Sequence, residues 1–362
     1  MPNPSGPVPV AKASRNQAFQ CGETLVPPGK RVSVDLEVAR LYTHANLSVT
    51  LEVVNGRLAG PVLLVDAAIH GDELNGVEIV RQLLTKIDPM KLKGTLIAVP
   101  VVNVFGFIHK SRYLPDRRDL NRCFPGSARG SIAGRIAHYF FTNIVMQCTH
   151  VIDLHTAAIH RTNLPQIRAN LSHPISAEMA MAFGTPVVID ASLRDGSLRA
   201  EAEKAGISVI TYEAGEALRF EPFAITAGIR GIQRVMRHLG MTAQGKLTRA
   251  KPPVVARATR WIRADFDGIL RSHVTLGQRV EKDQTLAIIS DPLGSDEVAI
   301  KALQGGIIIG QQSLPLVNEG DAIYHLAYFE EPDSFVEEKV ESYLDDVLDD
   351  MDNEIKSGIG KA

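Results

Sequence analysis

Between residues 61 and 238 the chain alternates nearly continuous apolar runs with stretches at helical spacing. Few architectures accept that pattern. Residues 61–68 read as an apolar strand and 75–84 as a helix, with Val77, Val80, Leu83 and Leu84 on one face. Strand 95–102, helix 132–145, strand 151–154, strand 186–189, helix 197–204, strand 207–212 and helix 222–238 follow. Strands without polar alternation are covered on both faces. The expectation is an α/β fold with a mixed, largely parallel sheet flanked by helices. Upstream, residues 31–41 and 47–54 alternate like strands, with Asn55-Gly56 as a turn signal.

The flanks read differently. The first 17 residues are rich in Pro, Ser and Ala and lack an apolar signal-peptide core, so residues 1–25 are expected to be a disordered lead-in. The α/β unit is expected over 26–245. A polar linker ending in Pro252-Pro253 then leads to short strands with glycine turns, a compact all-β module over 254–329. Residues 330–362 read as an acidic amphipathic helix and tail. Ser334 and Glu337 fit a capping box, and Val336, Val340, Tyr343, Leu344, Val347, Met351 and Ile355 form one apolar face. Docking of that face on its own chain is the simpler expectation, and docking on a neighbouring protomer is the alternative.

The 362 residues suffice for a large core. No apolar run reaches the 18 or so residues of a membrane span. Three widely spaced cysteines (Cys21, Cys123, Cys148) argue for a reducing compartment, hence the cytoplasm, rather than a disulfide framework. Twelve acidic and two basic residues fall between 330 and 356, which leaves 37 basic against 29 acidic elsewhere, a net +8. Such a body favours small anionic substrates. No basic stripe is interleaved with aromatics, so nucleic acid is not expected as a partner.

The chemistry sits at strand ends, where ligands collect in parallel α/β sheets. His70 and Glu73 follow the first apolar strand, Asn103 the second and His155 the third, and Glu213 closes a later one. Two imidazoles and a carboxylate are the usual ligands of a hydrolytic zinc with an open fourth position. Glu213 is then the unligated carboxylate that serves as proton acceptor and donor. Its rival Glu216 is expected to face solvent or cap a turn. Alternation places Asp153 on the same side of the strand as His155, where it can accept the other ring N–H. In the arginine-dense loop 111–126, Arg112 and Arg122 are the better candidates for facing the site, with Arg117 and Arg118 on the surface. Cys123 is expected to be a bystander.

Taken in order, His70-x-x-Glu73, Arg112, Asp119-Leu120-Asn121-Arg122-x-Phe124-Pro125-Gly126, Asp153-Leu154-His155-Thr156 and Glu213-Ala214-Gly215 resemble the succinylglutamate desuccinylase/aspartoacylase family. The resemblance implies a zinc carboxypeptidase-like catalytic fold. It implies one Zn2+ per chain on His70, Glu73 and His155, and Glu213 as the acid/base. Arg112 would polarise the scissile carbonyl, and Asn121 and Arg122 would grip a substrate carboxylate. Arg168 is a further candidate substrate contact that the resemblance does not secure. The β module resembles a biotinyl/lipoyl-type barrel-sandwich, but its hairpin 290–295 lacks the lysine of a carrier. A role at the substrate entrance or in an oligomer contact is expected instead.

The expected activity is hydrolysis of the amide bond of an N-acyl amino acid, of acetyl or succinyl type, with a homo-oligomer left open. A carboxypeptidase acting on peptide C-termini, and a non-catalytic binding protein, are the alternatives.

Overall fold

The computed structural model describes residues 14–40, 43–243, 252–330 and 333–359. A short hairpin, β1 (Phe19–Cys21) and β2 (Thr24–Val26), precedes a long antiparallel pair, β3 (Lys30–Arg40) and β4 (Asn46–Asn55). The β/α part comprises β5 (Leu58–Ala67), α1 (Asn75–Lys86), β6 (Lys93–Val99), α2 (Val104–His109), α3 (Ile132–Asn143), β7 (His150–Ala157), β8 (Arg161–Ala169), α4 (Pro174–Phe183), β9 (Val187–Asp190), α5 (Leu198–Lys204), β10 (Ser208–Glu216) and α6 (Pro222–His238). Then come β11 (Val254–Ala256), β12 (Ala258–Arg263), β13 (Gly268–Ser272), β14 (Arg279–Val280), β15 (Thr285–Ser290), β16 (Glu297–Lys301), β17 (Gly306–Gln312), β18 (Leu316–Val317) and β19 (Ala322–Tyr328), followed by α7 (Asp333–Ile359).

The fold is mixed α/β, as expected. Strands β6, β5, β7 and β10 lie side by side and parallel, and antiparallel strands extend the sheet on both sides. One face carries α1, α4 and α6 over a core that includes Ile79, Leu83, Phe183, Tyr212 and Ile232. The other carries α3 and α5 over Leu51, Leu64, Phe140 and Val209. Both faces are covered, which is why these strands are apolar throughout.

Within the β/α part, three elements were not anticipated: α2, α4 and β8. Strand β8 contains Arg161, Thr162, Asn163, Gln166 and Arg168, so it carries little apolar signal, and Pro165 argues against a central strand. The register against β10 shifts between the pairs Glu213–Gln166 and Gly215–Asn163, and the bulge accommodates the proline there.

Two boundaries need correction. Residues 19–25, assigned to a disordered lead-in, form the β1–β2 hairpin together with Val26. It is tied down by the Asn55 amide, which donates to the carbonyls of Gln17 and Val26, and by fully buried Cys21. Residues 1–13 lie outside the described residues. The β module is likewise not set apart. β11 pairs with β9, and β17 pairs with β8, so the main sheet runs on through β17, β19 and β12. A second sheet, β16-β15-β13-β18, packs with these strands around Ile262, Leu286, Ile308 and Tyr324. Residues 244–251 of the expected linker are outside the described residues.

Helix α7 docks on its own chain. Val336 and Val340 pack with Leu164, Val254, Ile307 and Ala327, and Val347 enters the α1/α6 core. The Arg230 guanidinium of α6 lies 2.9 Å from the Asp350 carboxylate and donates to the Asp346 carbonyl at 2.7 Å. The side chains of Ser334 and Ile355 lie outside the described residues. Among the described residues no helix is long and apolar enough to cross a membrane.

Candidate active site

The central strands end together, and their ends build the site. Ala68 leaves β5 in the left-handed region, at φ 51°, a strained turn that is tolerated where packing over-determines it. Two residues on, His70 projects beside β7. Glu73 returns toward it through a turn in which its N–H donates to the His70 carbonyl at 3.1 Å. The Glu73 carboxylate reaches both rings: Oε1 lies 2.8 Å from His70 Nδ1 and Oε2 2.8 Å from His155 Nδ1. The two Nδ1 atoms are 3.1 Å apart. The Thr156 N–H fixes the carboxylate further, at 3.0 Å. All three side chains are buried, and their donor atoms lie within 4.8 Å of one another.

The far nitrogen of each ring is held by a separate carboxylate. His70 Nε2 lies 3.0 Å from Asp119, and His155 Nε2 lies 2.9 Å from Asp153. The Asp153 contact is as expected. The Asp119 contact was missed, although Asp119 opens the Asp-Leu-Asn-Arg run. At His70 an Nε2–H donated to Asp119 leaves the Nδ1 lone pair pointing inward, and the Asp153 carboxylate beside His155 Nε2 favours the same tautomer there. Two lone pairs and a carboxylate then face one point, where a proton or a cation relieves the repulsion.

The electrostatics follow. Burial disfavours a charged imidazole at His70, but Glu73 and Asp119 outweigh it and hold the pKa above the ordinary histidine value. Burial likewise opposes charge on His155, but Asp153 and Glu73 hold its pKa well above that value. Burial would raise Glu73, yet the two imidazoles keep its carboxyl well below the usual range. The donor set therefore fits a divalent zinc bound through nitrogen and oxygen.

Glu213 meets this cluster through strand register, since it pairs with His155 across β10 and β7. Its Oε1 lies 3.0 Å from Arg168 Nε, and its Oε2 accepts from Asn163 Nδ2 at 2.8 Å. Arg168 is thus at the site, but its closest partner is Glu213. Arg112 stands where expected: its Nη1 is 3.2 Å from Glu73, and its Nε and Nη2 lie 3.2 and 3.0 Å from Asp119 Oδ2. Asn121 gives its side-chain oxygen to the Leu198 N–H at 2.9 Å, and exposed Arg122 lines the same cavity. Asn103, expected among the site groups, instead caps α2 by accepting from the Gly106 N–H. Of the two expectations for Glu216, solvent exposure fails because it is buried, and turn capping holds: it accepts from the His160 N–H in the β7–β8 turn and from Arg219. Cys123 stays a thiol donating to the Asp119 carbonyl, its pKa raised by burial.

A cavity of about 770 Å³ opens onto these groups. Seven arginines line it (Arg112, Arg122, Arg161, Arg168, Arg194, Arg199, Arg257) against four acids (Glu73, Asp153, Asp190, Glu213). The β module supplies Thr259, Trp261 and His325 to its wall. Arg161, Arg199, Trp261 and His325 were not singled out from sequence. No spacing marks them, since they converge only when β8, α5, β12 and β19 are assembled.

Comparison with known proteins agrees with this picture. An N-alpha-acetyl-L-2,4-diaminobutyric acid deacetylase from Halomonas elongata is 27% identical over 282 residues, covering 74% of this chain and 82% of that one. The ectoine utilization protein EutE (DoeB) of Ruegeria pomeroyi superposes with a TM-score of 0.75 at 22% identity, covering 86% of this chain and 99% of that one. A succinylglutamate desuccinylase/aspartoacylase from Rhodobacter sphaeroides gives 0.72 at 24% identity, covering 83% and 96%. At these identities the two structures show the shared fold alone. Residues 59–239 match the succinylglutamate desuccinylase/aspartoacylase catalytic domain, half of the chain, and that range includes His70, Glu73, Arg112, His155 and Glu213. The chain belongs to the succinylglutamate desuccinylase/aspartoacylase family.

Proposed function

We propose that this protein is a zinc-dependent deacylase that hydrolyses the amide bond of an N-acyl amino acid, of acetyl or succinyl type, releasing a carboxylate and a free amino acid. Family membership supports amide hydrolysis, and the Halomonas relative is named for one such deacetylation. The observation that carries the zinc reading is the pair of Nδ1 atoms 3.1 Å apart, both bound to one Glu73 carboxylate.

His70 Nδ1, Glu73 and His155 Nδ1 would hold the ion, which when bound supplies an acidified water and a Lewis acid for the amide carbonyl. Asp119 and Asp153 fix the ring orientations. Glu213, steadied by Arg168 and Asn163, takes the proton of the attacking water and delivers it to the departing amine. Arg112, clamped by Asp119, directs guanidinium N–H groups to the developing oxyanion. Asn121 and Arg122 hold the carboxylate of the amino acid. Arg168 acts chiefly by orienting Glu213. A wall contributed by the β module suits small acyl amino acids better than peptides, which need an open groove. The free thiols Cys21, Cys123 and Cys148 fit a reducing compartment such as the cytoplasm.

Metal analysis of the purified protein, with amine-release assays over acyl amino acids and peptides, tests the reading. One zinc per chain and amine release from acyl amino acids are expected, with loss of activity in metal-stripped protein. Glu213→Gln should keep zinc yet lose at least ~100-fold in turnover, the scale of a positioned acid/base. Full turnover without metal would end the zinc reading, and activity on peptides alone would favour the carboxypeptidase.

A further inference from the structure

One row of cross-strand neighbours carries the active-site face into the β module. Asn163 of β8 pairs with Gly310 of β17, Gly310 with His325 of β19, and His325 with Trp261 of β12. Gly310 keeps the row passable. A Cβ there would stand 2.8 Å from the Asn163 side-chain oxygen and 3.2 Å from His325 Cβ. The Trp261 and His325 rings stack at 4.4 Å with a 5° tilt, and the Arg161 guanidinium lies over Trp261, 5.4 Å from its centroid.

Arg161 is the unusual member. It is half-buried, and its side chain has no hydrogen bond or ion pair among the described residues. Other cavity arginines are engaged: Arg112 with Asp119, Arg168 with Glu213, and Arg199 with the carbonyls of Ala191 and Ser192. Arg122 donates to the Asn121 carbonyl, Arg257 lies 3.5 Å from Asp190, and Arg194 is exposed. Stacking holds a guanidinium by its plane and leaves its edge N–H groups free to take a planar acceptor bidentately. Beside it, His325 is 3% exposed, and its Nδ1 has no hydrogen-bond partner. Burial, with Arg168 nearby, pushes that imidazole down to about 3, so it stays neutral and does not repel Arg161 across the indole.

We propose that Arg161, held on the Trp261–His325 stack, forms a carboxylate subsite by which the β module selects acyl amino acids bearing a second carboxylate, distinct from the one assigned to Asn121 and Arg122. The inference rests on the deacylase reading for its catalytic consequence, but not for the binding itself. Trp261 and His325 are positioning residues, and Arg161 makes the ion pair.

Trp261 is the only tryptophan in the chain, so its fluorescence reports this subsite in the intact protein. Glutarate should change the wild-type signal saturably, and butyrate should do so only at concentrations at least ~10-fold higher. Arg161→Gln should weaken glutarate binding by about tenfold or more, and Arg161→Lys by less, because a point charge replaces the fork. In turnover, the preference in kcat/KM for N-acetylaspartate over N-acetylalanine should fall by a similar factor in Arg161→Gln and in Trp261→Leu, mainly through KM. Trp261→Phe should restore part of it. Equal glutarate affinity in wild type and Arg161→Gln, or no wild-type preference for glutarate over butyrate, overturns the subsite. Wild-type protein that binds glutarate through Arg161 but releases no amine from any acyl amino acid sinks the deacylase reading and leaves the subsite standing.

Discussion

Asp119 touches two of the groups on which the site depends. One oxygen holds His70 Nε2, and the other takes two nitrogens of Arg112. Burial alone would raise its pKa, but the His70 and Arg112 contacts hold it well below the usual carboxylate range. Asp119→Asn should leave the backbone in place yet lower zinc affinity by about 10- to 100-fold, the usual consequence of losing a ligand's outer partner. Competition with a chelator measures it, and unchanged affinity would detach Asp119 from the metal. His325 makes a second prediction at this scale. Its folded pKa, about 3, lies below the ordinary 6.5. As pH falls through that window, the unfolded chain takes up a proton that the folded chain refuses, so stability drops. Between pH 7 and pH 5 the parent should lose about 2 kcal/mol more than His325→Asn does, read from urea denaturation at each pH. Parallel losses would show that the imidazole titrates normally in the fold.

Among the elements, α2 is short, exposed along Phe107 and Ile108, and absent from a reading based on apolar periodicity. It matters because it lies against the turn between His70 and Glu73. A Cβ at Gly71 would stand 1.9 Å from the Gly106 carbonyl carbon and 2.1 Å from the Phe107 nitrogen, so backbone must move. Gly71→Ala is expected to remain folded, because α2 is one short helix that borders the second core only through Val104 and Phe105, but to lose about 100-fold in turnover through displacement of His70 and Glu73. Near-normal kinetics in that variant would mean that the turn yields without moving its ligands. The elements carrying continuous apolar runs or a clear helical stripe were legible: α6 was expected over residues 222–238 and is found there. Strand β8 was not, because it has few apolar residues to show. Its Arg161, Asn163 and Arg168 face the cavity instead, so the function of the strand conceals it.

For the whole molecule, the boundary drawn at residues 245–254 is bridged by a shared core cluster. Leu164, Val187 and Ile189 pack with Val254, Ile307, Ile309, Ala327, Val336 and Val340 in one cluster. The sheet crosses the same boundary through β8 and β17. Calorimetry should therefore show one cooperative transition whose van't Hoff and calorimetric enthalpies agree. A separate β-module melt would show that the shared cluster is weak.

The order of residue types along the chain settled the family, the parallel heart of the sheet and the identity of the candidate ligands. Each of these is written locally, as an apolar run ending in a polar side chain. Which partner each ligand meets was decided elsewhere. His70 finds Asp119 across 49 positions, Glu213 lies in register with His155 only because β10 pairs with β7, and Trp261 reaches Arg161 because β12, β19, β17 and β8 share one sheet. Pairing between distant strands depends on register, which leaves no periodic mark in a single sequence. The folded chain alone brings those side chains together.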